Sequence, residues 1–177
     1  MAHTEKKLNS TQIFKGKILE LIVYDVEIED GTLSKREVVL SKDGVGVLAI
    51  NEDDEIYMVK QFRYPLQKEI YEIPAGRVEE NEDPKDCGIR ELEEEVGLIA
   101  DNFEYLGKGY SSPGCYNEAV HLYLATNLHD VGQKLDAGEF LDIIKMPFEK
   151  ALKMVKNDEI IDSKTQLAIL KYNSYRK

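Results

Sequence analysis

Basic residues, histidines and cysteines are all scarce in this chain, and each scarcity removes a class of function. Twenty-three lysines and arginines stand against 34 aspartates and glutamates, a formal net charge of −11. General binding to nucleic acid or to an anionic membrane rewards a basic surface, so neither is expected. An anionic substrate stays open, because divalent cations can invert a local field. The three histidines, His3, His121 and His129, are scattered, which argues against a zinc site. Two cysteines, Cys87 and Cys115, make no disulfide framework and suit a reducing cytoplasm. No apolar run approaches membrane-spanning length, and the N-terminal segment MAHTEKKLNSTQ is polar, with no signal peptide to read. A cytoplasmic location is therefore the expectation. There is no repeat and no low-complexity segment. A length of 177 residues allows one domain with a real core and a small appendage.

What is present reads as strands interrupted by a few helices. Residues 17–29 are extended and partly alternating, a turn follows at Asp30-Gly31, and a second strand covers 35–40. Lys42-Asp43-Gly44 marks a boundary between an N-terminal strand segment, 1–42, and a main domain, 43–177. The continuously apolar run GVGVLAI, Gly44 to Ile50, reads as a strand buried on both faces. Glu55 to Arg63 is the next strand, and 70–73 leads into Pro74-Ala75-Gly76. Later strands are expected over 103–110, 118–126 and 140–144. A helix beginning near Pro147 puts Phe148, Ala151, Leu152 and Val155 at i, i+3, i+4 and i+7. A last helix, capped by Asp162 or Ser163, carries Leu167, Ala168, Leu170 and Tyr175. Mixed strands with helices on either side predict an α/β protein, an α/β/α sandwich.

The segment Gly76 to Leu98, GRVEENEDPKDCGIRELEEEVGL, is the most informative stretch. Asp83 is a good N-cap, Pro84 fits the first helical position, Asp86 sits where a capping-box acid would, and Gly97 supplies a left-handed stop. The helix then runs from Pro84 to Val96. At about 100° per residue, Ile89, Leu92 and Val96 form an apolar stripe. Glu91 and Glu95 lie beside it, one turn and about 6 Å apart. Glu94 continues the arc outward, and Arg90, Glu93 and Asp86 fall on the far side. Carboxylates at this spacing repel by a few tenths of a kcal/mol, roughly, a cost that hard cations between them offset. Three acids on one arc suit a site of metal-assisted phosphoryl chemistry.

These residues match the Nudix box, G-x5-E-x7-R-E-U-x-E-E-x-G-U with U aliphatic. Gly76, Glu82, Arg90, Glu91, Leu92, Glu94, Glu95, Gly97 and Leu98 fill it without a departure. The fixed positions recur by chance less often than about once in ten million windows at ordinary composition. Beyond the box, the chain resembles the ADP-ribose pyrophosphatase branch of the family over nearly its whole length. VKQFRYP resembles that branch's glutamine–arginine strand, and EIPAG resembles its approach to the box. Pro113, in Ser111-Ser112-Pro113-Gly114, stands sixteen residues after Gly97, where the branch carries its marker proline.

The resemblance implies an α/β/α Nudix fold with a mixed sheet, and N-terminal antiparallel strands exchanged within a homodimer. It implies hydrolysis of ADP-ribose to AMP and ribose 5-phosphate by attack of water on the adenosine-side phosphorus. Magnesium, with manganese as an alternative, would serve as two or three ions per site. Ala75, through its carbonyl, and Glu91, Glu94, Glu95 and Glu139 are the implied metal ligands. Glu94, Glu95, Arg90 and Glu139 are the implied catalytic residues, with Arg90 orienting the glutamates and Glu82 supporting them. Arg63, Arg36, Pro113 and Gly114 are the implied substrate contacts, Arg36 reaching the other subunit's substrate. One departure stands out: relatives often carry a second glutamate two positions before Glu139, and here that position is Ala137. Glu139, then Asp136, takes over as base, or the loop is differently registered, or metal activation of water suffices. The alternatives are hydrolysis of another nucleotide sugar such as GDP-mannose, or a module that senses ADP-ribose or NAD without cutting it.

Overall fold

The computed structural model describes residues 3–135, 138 and 140–176. Contacts divide the chain into two compact units, 1–42 with 110–119, and 43–109 with 120–177. In the first unit, β1 (Lys6–Lys15), β2 (Glu20–Glu27) and β3 (Leu33–Leu40) form an antiparallel sheet in that order. Two strands were expected here, and the third, β1, comes from the polar N-terminus. All ten of its residues are exposed. Register with β2, from Lys6 opposite Glu27 to Lys15 opposite Glu20, holds it through backbone bonds, which leave no hydrophobic trace in the sequence. The segment 110–119 returns to β3, where Val39 N–H donates to Cys115 O and Asn117 N–H donates to Val39 O.

The second unit is built on a mixed sheet. Its strands are β4 (Gly44–Ile50), β5 (Glu55–Arg63), β6 (Lys68–Glu72), β7 (Ala75–Arg77), β8 (Leu98–Tyr110), β9 (Ala119–Asp130) and β10 (Leu141–Pro147). The order is β10-β5-β4-β9-β8, with β6 on β5 and β7 on β4, and β4 runs parallel to β9. A 3-10 turn over Tyr64–Leu66 joins β5 to β6.

Strand β4 explains the layering. Every one of its residues is buried. Leu48 and Ile50 enter a core with Phe148, Ala151, Leu152 and Val155 of α2 (Phe148–Lys156) and with Ala168 and Ile169 of α3 (Ser163–Tyr175). Val47 and Ala49, pointing the other way, meet Leu92 and Val96 of α1 (Pro84–Val96). Side chains alternate across a strand, so a run with no polar position needs apolar partners on both faces, and helices supply them. Among the described residues no helix is long and apolar enough to cross a membrane.

Helix α1 starts and stops where the sequence predicts. Asp83 accepts from Lys85 N–H at 2.8 Å, and Gly97, at φ 70°, donates back to the last turn. Its buried face differs from the expected stripe. Ile89 is 38% exposed, and the face instead comprises Cys87, Gly88, Glu91, Leu92, Glu95 and Val96. Gly88 lets the helix sit close, since a Cβ there would lie 3.0 Å from Phe103 and 3.2 Å from Val45. A glycine adds nothing to a hydrophobic pattern, and the apolar stripe therefore misplaces the centre of this face by roughly one residue's rotation. The true centre puts Glu91 and Glu95 inside it. Helix α3 shows the same kind of shift. Asp162 caps it as expected, but Thr165, Ala168 and Ile169 are buried while Leu167, Leu170 and Tyr175 are exposed.

Candidate active site

Strand β7 and helix α1 bring the first two carboxylates together. Gly76 faces the helix, and Glu91 fills the space its missing side chain leaves: a Cβ at 76 would lie 1.8 Å from Glu91 Oε1. One residue earlier, Ala75 N–H donates to Glu95 Oε2 at 2.9 Å. Glu95 is 4% exposed and Glu91 9%. Burying two ionised carboxylates one turn apart costs several kcal/mol, roughly, unless cations or donors compensate.

Arg90 supplies part of that compensation. Its Nη1 donates to Glu91 Oε1 and to Glu94 Oε2, both at 2.8 Å, and its Nε donates to Glu82 Oε1 at 3.0 Å. The helical wheel put Arg90 on the far side, but its long side chain folds back along the i,i+4 row to Glu94. The Glu82 bond, foremost, holds the guanidinium firmly protonated, and Arg90 in turn holds the Glu82 carboxyl below its ordinary range. Burial, then the charge of Glu82, pushes the Cys87 thiol up to about 12, which removes it as a nucleophile.

Among the described residues, four carboxylates, Glu82, Glu91, Glu94 and Glu95, share this cluster with the Arg90 guanidinium. Among the described residues no three His, Cys, Asp or Glu side chains converge as a ready metal cage. The donor chemistry nevertheless fits magnesium or manganese. It offers hard oxygens only, held against the β7 backbone in a space that a Cβ at Gly76 would fill. Magnesium takes one or two carboxylates and completes its shell with water and phosphate oxygens.

A second network flanks the first. Arg63, at the end of β5, donates from Nε to Glu72 Oε1 at 2.5 Å and from Nη2 to Glu72 Oε2 at 2.7 Å. Glu72, at the end of β6, is 1% exposed and also takes a bond from Lys164 Nζ on α3. Burial alone would raise the Glu72 carboxyl, but the bond from Arg63 and the charge of Lys164 more than offset it and hold it below the ordinary range. The bond to Glu72, foremost, holds the Arg63 guanidinium firmly protonated, and the charge of Glu95 adds to it.

A family model described as the NUDIX domain matches residues 40–165. The chain belongs to the Nudix family. It is 44% identical over 167 residues to an ADP-ribose pyrophosphatase of Bacillus subtilis (strain 168), covering 93% of this chain and 90% of that one. It is 43% identical, with the same coverage, to a methanol dehydrogenase activator of Bacillus methanolicus. A solved structure described as an ADP compounds hydrolase shares the fold, with a TM-score of 0.87 at 16% identity over 99% of this chain and 95% of that one.

Within this Nudix chain, the box residues Gly76, Glu82, Arg90, Glu91, Glu94 and Glu95 assemble in one place, with Ala75 beside them. Arg36, Pro113 and Gly114 belong to the first unit. Arg36 is held there by Glu5, with Nε to Oε2 at 2.9 Å. Pro113 and Gly114 lie on an exposed turn closed by Tyr116 N–H donating to Ser112 O. Glu139, Asp136 and Ala137 lie outside the described residues. Sequence reasoning missed Glu72 and Lys164. A lone charge in the apolar strand IYEI was a legible sign of a buried ion pair, but nothing local pointed to its partner 92 residues later.

Proposed function

We propose that this protein is a metal-dependent Nudix hydrolase that splits ADP-ribose, with one water, into AMP and ribose 5-phosphate. The observation that carries the reading is the carboxylate cluster packed on Ala75 and Gly76, with Arg90 gathering Glu82, Glu91 and Glu94. The high identity to an ADP-ribose pyrophosphatase supports the substrate. Glu91, Glu94, Glu95, Glu139 and the Ala75 carbonyl would hold magnesium or manganese, two or three ions per site. When bound, these ions neutralise the diphosphate and make its phosphorus more electrophilic.

The remaining work falls to the chain itself. Arg90 keeps the glutamates in one orientation through charge-assisted bonds. Arg63 presents its outer N–H edge to the diphosphate. Glu139 takes the proton of the attacking water, with Asp136 as the substitute, since Ala137 has no acid to offer. Attack falls on the adenosine-side phosphorus. Positioning and charge complementarity supply most of the rate.

The protein acts as a cytoplasmic homodimer with residues 1–42 exchanged between subunits. Arg36 then reaches the partner's substrate, and Pro113 and Gly114 serve as further substrate contacts. Exposed Leu8, Ile13, Phe14, Ile18 and Leu33 in the first unit support such a contact.

A product-resolved hydrolysis panel tests the function, with ADP-ribose, GDP-mannose and NAD, each with magnesium and with chelator. ADP-ribose should be cut fastest, and only with metal. Heavy-oxygen water should label AMP rather than ribose 5-phosphate. Preference for GDP-mannose would move the substrate, and uncut ADP-ribose would leave a binding module. Glu94→Gln and Glu95→Gln should each lower turnover by orders of magnitude without unfolding the protein, and full activity in both sinks the assignment. The near-equal identity to a methanol dehydrogenase activator supports a second reading, an added effect on a dehydrogenase partner. An unchanged methanol dehydrogenase rate in its presence would remove it.

A further inference from the structure

We infer that Glu72 and Lys164 are positioning residues that preset Arg63 to grip a diphosphate; the inference rests on the diphosphate reading of the site. Arg63 is bound side-on. Glu72 occupies its Nε and one N–H of Nη2, and among the described residues Nη1 makes no hydrogen bond to protein. The outer edge of the guanidinium is thus available, and the Arg63 side chain is 41% exposed. A guanidinium fixed on one edge presents a rigid fork on the other, the geometry that matches paired phosphate oxygens.

Lys164 decides how much of the Arg63 charge reaches outward. It shares Glu72 Oε2 with Arg63, so the buried carboxylate is divided between two cations. Lys164 is in turn held by Asp162 at 3.1 Å. Asp162 also caps α3 through Thr165 N–H and accepts from Thr165 Oγ1 at 2.5 Å. Thr165 Oγ1 accepts from Ile73 N–H at 2.9 Å. The start of α3 is therefore tied to the strand end that carries Glu72. Two residues beyond Ile73, Ala75 bonds Glu95. One chain of contacts fixes Arg63 and the carboxylate cluster against the same short piece of backbone.

The test is a double-mutant cycle read by calorimetry, with ADP as the diphosphate probe and magnesium present. Wild type, Lys164→Gln, Arg63→Ala and the double variant are compared. Lys164→Gln should weaken ADP binding about fivefold in the wild-type background and have almost no effect once Arg63 is gone, because coupled groups are not additive. Equal weakening in both backgrounds, no weakening in either, or failure of the wild type to bind ADP would overturn the inference. If Lys164→Gln does not fold, Lys164→Met carries the same cycle, since it keeps the length of the side chain and removes the charge from Glu72. ADP-ribose hydrolysis by the wild type is measured alongside. Non-additive ADP binding with uncut ADP-ribose leaves the positioning role and ends the hydrolase reading. Cleavage with additive binding does the reverse.

Discussion

At Gly76 a single hydrogen stands where any other residue carries a carbon, and the Glu91 carboxylate occupies the space. A methyl there must displace either the strand or the carboxylate. Gly76→Ala is expected to lower turnover about a hundredfold, the scale on which 1 Å misplacements act, with the fold kept. Steady-state kinetics beside a thermal melt would separate the two effects. Cys87 yields a second prediction at this scale. Buried and held as a thiol with its pKa near 12, it should be inert to a thiol reagent at neutral pH, while exposed Cys115 reacts. Titration of the native protein should count one thiol per chain, and two after denaturation. Two in the native state would contradict the burial. The lack of a disulfide framework was legible from the two cysteines alone, whereas the reason Gly76 must be glycine needed the facing helix.

Helix α1 shows how an element can be legible at its ends and misread along its face. Asp83, Pro84 and Gly97 act through bonds to neighbours a few residues away, so the sequence carries their signal in full. Asp83→Ala should cost about 1 kcal/mol and lower the melting temperature by about 2–4 °C, with the KM for ADP-ribose unchanged. A shift in KM would mean that the cap also orients the glutamates. The face depends on what lies opposite, and Gly88 and the two buried glutamates invert the hydrophobic reading because β7 and β8 meet them there. At the helix end, Gln133 Nε2 donates to Glu95 O at 2.6 Å and Lys134 N–H donates to Glu94 O at 3.0 Å. These last-turn carbonyls find partners in a loop that no helix signal anticipates.

For the molecule as a whole, Glu72 links pH to stability. Its ordinary value is 4.5, and the folded value lies lower because Arg63 and Lys164 outweigh burial. A depressed carboxyl stabilises in full above its unfolded value and loses that contribution as pH falls through the folded one. The melting-temperature gap between wild type and Glu72→Gln should therefore be wide at pH 7 and narrow progressively below about pH 4.5. Melts from pH 7 to pH 3 check it, and a gap independent of pH would show that the ion pair carries none of the stability. At the same scale, removing residues 1–42 should abolish dimerisation and activity, read by sedimentation and turnover, and an active monomer ends the exchange model.

By itself the sequence determined the box, the helix that carries it and the doubly buried strand β4. These rest on spacing, period and composition, which are properties of neighbours along the chain. Tertiary structure alone decided that Glu91 and Glu95 lie inside a buried face, that β1 joins a sheet with no apolar pattern, and that Lys164 reaches Glu72. The glutamates and Lys164 depend on partners that only folding brings near, and β1 on backbone bonds to β2 that no side-chain pattern announces. A buried charge is tolerated only where such a partner has been folded against it.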